Sequence, residues 1–240
     1  MTPTSRTRFA ESPRGIFDIV VALFCALLLI SNIAATKLIQ LGPELTLWGF
    51  PLLPLITDGG ALLFPLTYVL GDVLAEVYGL RGARRAIFLG FAVSVLASLT
   101  FVVVGALPPA ADYANQEAFL AVLGFVPRIV VASLVGYLAG QLLNAWVLVK
   151  LKERTDERSL WARLLGSTVV GEAADTILFC LIAFGGVISG ATMVNYILVG
   201  YLWKVGVEAA FLPVTYRVIR VVKRLEPSYA GRAAEPDPVP

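Results

Sequence analysis

The sequence predicts an all-α membrane protein with six transmembrane helices, and three observations carry that prediction. Of its 240 residues 58% are apolar and only 15% are charged, whereas an average soluble domain is about 25% charged. Six stretches, roughly 16–39, 57–79, 84–107, 119–149, 160–184 and 192–222, reach the ~20 mostly apolar residues that cross a hydrocarbon core of ~30 Å. All but three of the nineteen Lys and Arg residues lie on the same alternate sides of those stretches, which is the positive-inside pattern.

Taken in order, the first stretch follows Arg6, Arg8 and Arg14. Its apolar run is too long for a signal peptide and lacks a clear small-residue cleavage site, so it is retained as a helix. Arg81, Arg84 and Arg85 follow the second stretch, Lys150 to Arg163 the fourth, and Arg217 to Arg232 the sixth, whereas the connections around Glu44, Asp112 and Gly190 hold no basic residue. Both termini are therefore expected in the cytoplasm. The segment 41–54, LGPELTLWGFPLLP, is rich in Gly and Pro yet apolar, which predicts a structured external hairpin or re-entrant cap, with Trp48 suited to the interface. The expected organisation is a cytoplasmic tail at 1–15, one six-helix domain at 16–225 and a disordered, proline-rich tail at 226–240.

The second stretch contains Pro65, read as a bend that frees backbone groups, and Gly71, read as a point of close approach beside Asp72. Asp72 and Glu76 are spaced i, i+4, and Glu172 and Asp175 of the fifth stretch are spaced i, i+3, so each pair shares a helix face. Acidic pairs in the second and fifth of six helices allow two inverted three-helix halves with a site between them. Lys37, Arg128 and Lys204, the three basic residues off the pattern, sit in or at the ends of apolar stretches, where charge is expensive and marks function or mutual neutralisation.

Several functions are excluded or weakened by what the chain lacks. It has no histidine, so neither a Ser-His dyad nor a His-ligated zinc site can be built. An aspartyl hydrolase remains conceivable only through Asp72 and Asp175 sharing a proton. No phosphate loop is present for ATP hydrolysis. Cys25 and Cys180 lie within apolar runs and read as packing residues. The net charge of +2 and the scattered basic residues give no stripe for a nucleic acid. No cofactor or metal is expected.

Four strings in register, FPLTYVLGDVLAEVYGLRGARRAI, RIVVASLVGYLAGQLLNAWVLVKLKE, LWARLLGSTVVGEAADTILFCLIAFGG and YLWKVGVE, resemble the bacterial queuosine precursor transporter family, also called the vitamin uptake transporter family. The resemblance runs from about Ser31 to Pro213. It implies a multi-pass bacterial inner-membrane importer of the 7-deazaguanine bases preQ0 or preQ1, with Asp72, Glu76, Arg128, Gln141, Ser167, Thr168, Asp175, Thr176 and Lys204 at the family's recurrent polar positions. Asn144 and Glu172 depart from it, standing where many members carry Asp and Gln.

The chemistry of such a base fits the residue types. A guanine-like edge offers N1–H and a 2-amino group side by side to one carboxylate, while its carbonyl takes a cationic or amide donor. Glu172 and Asp175 are expected at the donor edge, and Tyr68, Phe179, Phe184, Tyr196 and Trp203 offer rings for stacking. The expected substrate-binding set is Asn32, Tyr68, Asp72, Arg128, Gln141, Glu172, Asp175, Phe179, Lys204 and Glu208. Structural readings stand beside it: Lys204 and Glu208, i and i+4, can form a neutralising pair, Arg128 can pair with an acid or reach an interface, Glu76 can be a surface pair, and amides can link helices. The alternative function is a substrate-capture subunit that needs a separate ATPase. GYLAG in the fourth stretch suits either a homodimer face or internal packing.

Overall fold

The structure, a computed structural model, describes residues 15–47, 50–155 and 160–227, and side chains are described outside 44–53, 151–165 and positions 141, 144, 145, 148, 149, 167 and 168. Both expected tails therefore fall outside the described residues almost entirely.

Helix α1 (Phe17–Ala34) is apolar on nearly every side and closes where the Ala35 N–H donates to the Ser31 carbonyl. It is followed by an antiparallel hairpin, β1 (Leu38–Leu47) with β2 (Phe50–Asp58). The hairpin expected at 41–54 is present, but its strands take up 38–58, so the first helix ends earlier and the second begins later than the apolar runs suggest. The register shifts between Leu41 and Leu45, around Gly42 (φ 93°) and Pro43. A proline there cannot donate to the ladder, and a glycine can take the left-handed turn that a bulge needs. Asp58 ends β2 and caps the short 3-10 turn Gly59–Leu62, its Oδ1 accepting from the Gly60 and Ala61 N–H groups at 2.8 and 3.2 Å.

Helix α2 (Phe64–Ala106) carries Pro65 in its first turn, where a proline sacrifices no intrahelical bond. The bend expected at Pro65 is thus corrected: the break lies at Gly79, whose φ of 72° and ψ of 179° are open to glycine alone. The chain reverses there. Gly60 meets Ser31 before the break (Oγ to the Gly60 carbonyl, 3.2 Å), and Val73 and Leu74 pack with Val20, Val21 and Phe24. After the break, a Cβ on Gly90 would touch Leu28, and Asn32 donates to Ser94. Positions 60 to 74 descend along α1 and positions 83 to 94 climb back, so α2 is a helical hairpin.

The stretch 119–149 is likewise divided, into α3 (Gln116–Leu123) and α4 (Val126–Thr155), before α5 (Leu160–Phe184) and α6 (Gly190–Leu225). The Ser189 side chain opens α6 by accepting the Thr192 N–H at 3.2 Å. Among the described residues four helical segments, Phe17–Ala34, Phe64–Ala106, Gln116–Gly140 and Gly190–Leu225, are long and apolar enough to cross a membrane. Their outward faces bear Phe88, Leu96, Leu99 and Leu202, each more than half exposed, the inverse of a soluble protein. Inside lie two apolar clusters: Val20, Phe24, Val73, Leu74 and Ala86 joined by Val222 of α6, and Ile129, Ala132, Cys180, Phe184, Met193 and Tyr196 joining α4, α5 and α6.

Candidate functional site

The second cluster ends against a group of charges. Lys204 Nζ of α6 donates to Asp175 Oδ2 of α5 and stands 3.7 Å from Glu172 Oε2. These three side chains are only 13%, 20% and 19% exposed, so the ions are largely withdrawn from solvent. The Lys204 ammonium also sits 4.7 Å from the centre of the Phe64 ring, a favourable cation–π position. Phe64 in turn meets Tyr68 edge-on with centroids 4.6 Å apart, and the Tyr68 hydroxyl lies within electrostatic reach of Glu172, Asp175 and Glu208. Three elements thus converge: the first turns of α2, the middle of α5 and the middle of α6.

Two glycines bring this about. A Cβ on Gly136 of α4 would stand 2.7 Å from Asp175 Oδ1 and 2.9 Å from the Asp175 carbonyl, and one on Gly140 would stand 2.9 Å from the Gly171 carbonyl. Both ends of GYLAG therefore face α5, which settles the motif as internal packing that lets the backbone of α5 approach and presses Asp175 toward Lys204.

Among the described residues two buried polar atoms in the cluster have no hydrogen-bond partner: Glu172 Oε2 and, one turn along α5, Thr176 Oγ1. Buried acceptors in native proteins are almost always satisfied, and a carboxylate oxygen so placed is a position for a donor supplied from outside the chain.

The expected site residues divide into three groups. Tyr68, Glu172, Asp175 and Lys204 come together, with Glu208 and Asp72 at the edge: Glu208 feels the charges of both Glu172 and Asp72. Asp72 itself is exposed on α2, and among the described residues a Cβ on the adjacent Gly71 would meet nothing within 4 Å. The pairing expected between Lys204 and Glu208 is replaced by Lys204 with Asp175 and Glu172, because the carboxylates of α5 lie across the helix contact.

A second group is engaged elsewhere. Arg128, at the start of α4, donates from Nε to the Ile182 carbonyl at 2.7 Å and from Nη2 to the Gly185 carbonyl at 2.5 Å, with its guanidinium 5.8 Å from the Phe125 ring centre. In place of the acid pair expected of it, Arg128 closes the carbonyl end of α5, where orphan acceptors and the helix dipole favour a cation. Arg128→Lys is expected to lose one of those two bonds and to lower stability by about 1 kcal/mol, read as a drop in detergent thermal melting with substrate affinity unchanged. Asn32 is buried between Ser94 and Ser133, donating to the first at 3.4 Å and accepting from the second at 2.9 Å, and so links α1, α2 and α4. Phe179 packs against the second apolar cluster. Glu76 accepts from Lys223 at 2.6 Å, the surface pair expected of it although the partner is on α6.

The third group is Gln141, with Asn144, Ser167 and Thr168, whose side chains lie outside the described residues.

Sequence reasoning missed Asp58 and Phe64. Tyr196 Oη donates to Asp58 Oδ2 at 2.5 Å, and Asp58 feels the charge of Lys204. Around it Asn195 accepts from the Ile56 N–H at 3.1 Å and Trp203 Nε1 donates to the Ala61 carbonyl at 3.1 Å. Tyr196 and Trp203 are thereby committed to the hairpin, and Phe184 is buried against Tyr196. The string TDGG is the signal that could have revealed Asp58: an Asp before two glycines is a turn cap.

Residues 58–218, from Asp58 to beyond Glu208, match the family described as "Putative vitamin uptake transporter". The chain is 33% identical over 172 residues to a "Probable queuosine precursor transporter" of Bacillus subtilis (strain 168), covering 70% of this chain and 74% of that protein. It is 30% identical over 174 residues to the "Queuosine precursor transporter" of Escherichia coli (strain K12), covering 70% and 76%. A third similarity, 30% over 125 residues, is to a "Probable queuosine precursor transporter" of Haemophilus influenzae and covers 52% of this chain and 51% of that one. No solved structure matches.

Proposed function

Because the chain belongs to the vitamin uptake transporter family, we propose that it imports queuosine precursors, the 7-deazaguanines preQ0 and preQ1, through a site formed by Glu172, Lys204, Phe64 and Tyr68. The protein is a multi-pass transporter of the bacterial inner membrane and not an enzyme; the substrate and its contacts are the further step.

The observation that carries this reading is Glu172 Oε2, buried without a hydrogen bond among the described residues, beside the Lys204 ammonium and two aromatic rings. A flat heterocycle with N–H and amino donors on one edge and a carbonyl on another needs an acceptor, a cation and a π-face close together. The roles divide between the two acids of α5. Asp175 holds Lys204 in place, and Glu172 accepts the donor edge of the base. The Lys204 ammonium donates to the base carbonyl, and Thr176 Oγ1 supplies a second unused polar atom. Asp72 and Glu208 border the site.

The topology proposed with it has six crossings and both termini in the cytoplasm. Supporting that arrangement, the Ile16 N–H and the Tyr78 hydroxyl both donate to Glu226, at 3.2 and 3.0 Å, so the start of α1, the reversal of α2 and the end of α6 share one end of the molecule. Arg81, Arg84, Arg85, Arg217, Arg220 and Lys223 flank those points. Each half then rocks about the site in alternating access.

The test is uptake of labelled preQ0 and preQ1 by vesicles containing only this protein, with binding measured in detergent. Glu172→Gln keeps shape and removes the charge. Losing a charge-assisted hydrogen bond costs ~1.5–3 kcal/mol, so affinity for the deazaguanines is expected to fall roughly ten- to a hundredfold. Adenine, which lacks the paired donor edge, should bind poorly to both forms. Equal affinity of the variant for preQ1 would remove Glu172 from the site, and binding without uptake would make the chain a capture subunit.

A further inference from the structure

The far end of α6, away from the Lys204 cluster, carries a concentration of exposed cations. α6 has 36 residues, a length of ~54 Å that exceeds the ~30 Å hydrocarbon core, so its last turns emerge at the surface of the bilayer. There an open surface hollow of about 420 Å³ is lined, among the described residues, by Tyr216, Ile219, Arg220, Lys223 and Arg224 of α6. Among the described residues its lining has three cations and no carboxylate. Lys223 is already paired with Glu76; Arg220 and Arg224, one turn apart, are exposed. One turn back on the same face Leu212 is 45% exposed and Tyr216 is 66% exposed, so the groove changes from apolar to cationic along its length. That gradient matches the order of parts in a phospholipid lying along the helix: acyl chain, glycerol, then phosphate.

We propose that this cleft binds the phosphate of an anionic phospholipid, with Arg220 and Arg224 as donors and the acyl chain laid along Leu212, Tyr216 and Ile219. Guanidinium groups suit phosphate oxygens because their paired N–H donors match the oxygen spacing. Inorganic phosphate shares the headgroup chemistry but has nothing to fill the apolar half of the groove.

The test uses the full chain in nanodiscs of phosphatidylcholine with a minor fraction of phosphatidylglycerol, counting retained lipids by native mass spectrometry. Retention of phosphatidylglycerol on the wild type is expected, with a roughly fivefold fall for Arg220→Gln or Arg224→Gln. Arg217→Gln removes the same charge outside the cleft lining and should leave retention nearly unchanged. Equal losses for Arg217→Gln and Arg220→Gln would reduce the effect to diffuse positive charge and overturn the site. Displacement of the lipid by excess inorganic phosphate would overturn the lipid assignment in favour of a free anion. Unaltered thermal melting of the variants checks that the fold is intact.

Discussion

Lys204→Met is expected to lower thermal stability in detergent sharply and to abolish uptake together. The substitution keeps most of the side-chain volume and removes the charge that Asp175 and Glu172 share. Two carboxylates with about a fifth of their surface exposed are then left facing each other without a cation. Removing one partner of a buried pair costs about 3–5 kcal/mol, far more than the pair itself contributes, because the cost is that of the orphaned ion. The double variant Lys204→Met with Asp175→Asn separates the two effects. Melting should recover most of the loss once the second charge is gone, whereas deazaguanine binding should stay absent, since the carbonyl donor is still missing. Full binding by the stable double variant would place the substrate elsewhere.

Gly140→Ala is expected to destabilise the protein through a single added methyl. Its Cβ would stand 2.9 Å from the Gly171 carbonyl and 3.0 Å from the Asp175 Cβ, both held by the α5 backbone and unable to swing aside. The two helices must part, which for an overpacked contact costs ~1–3 kcal/mol and withdraws Asp175 from Lys204. Gly71→Ala provides the opposing sign: with nothing within 4 Å of the new methyl, the better helix propensity of alanine leaves stability unchanged or slightly raised. Melting curves of the two variants side by side check the contrast. A Gly140→Ala protein as stable as wild type would mean that α4 and α5 do not meet at this face.

The particulars show which kinds of information one chain carries. Apolar stretches and their flanking arginines announce the helices because the bilayer imposes length and polarity on each segment separately. The hairpin was legible for the same local reason, from glycine and proline within LGPELTLWGFPLLP. Pro65 misled because a proline's effect depends on its place in the helix, and only the true helix start shows that it occupies the harmless first turn; Gly79 holds the reversal. Partner choice was the least legible part. Spacing puts Lys204 and Glu208 on one face and cannot show that Asp175 of another helix approaches closer. The partners of Arg128 stayed hidden because a helix C-terminus, an acceptor made of backbone, leaves no mark in residue identity. Asp58 escaped because a carboxylate in a turn has an ordinary local explanation, and its bond with Tyr196 spans 138 positions.

The strand pair has a consequence for how cargo gains entry. Asn195, Tyr196 and Trp203 fasten residues 56, 58 and 61 across two turns of α6, whereas among the described residues α1 makes one side-chain hydrogen bond to the same turn, from the Ser31 hydroxyl. Lys204 directly follows Trp203, so the ammonium and the roof beside it travel as one rigid piece. Parting on that flank should therefore begin along the weaker seam with α1, leaving the cation and its covering undisturbed while the passage widens.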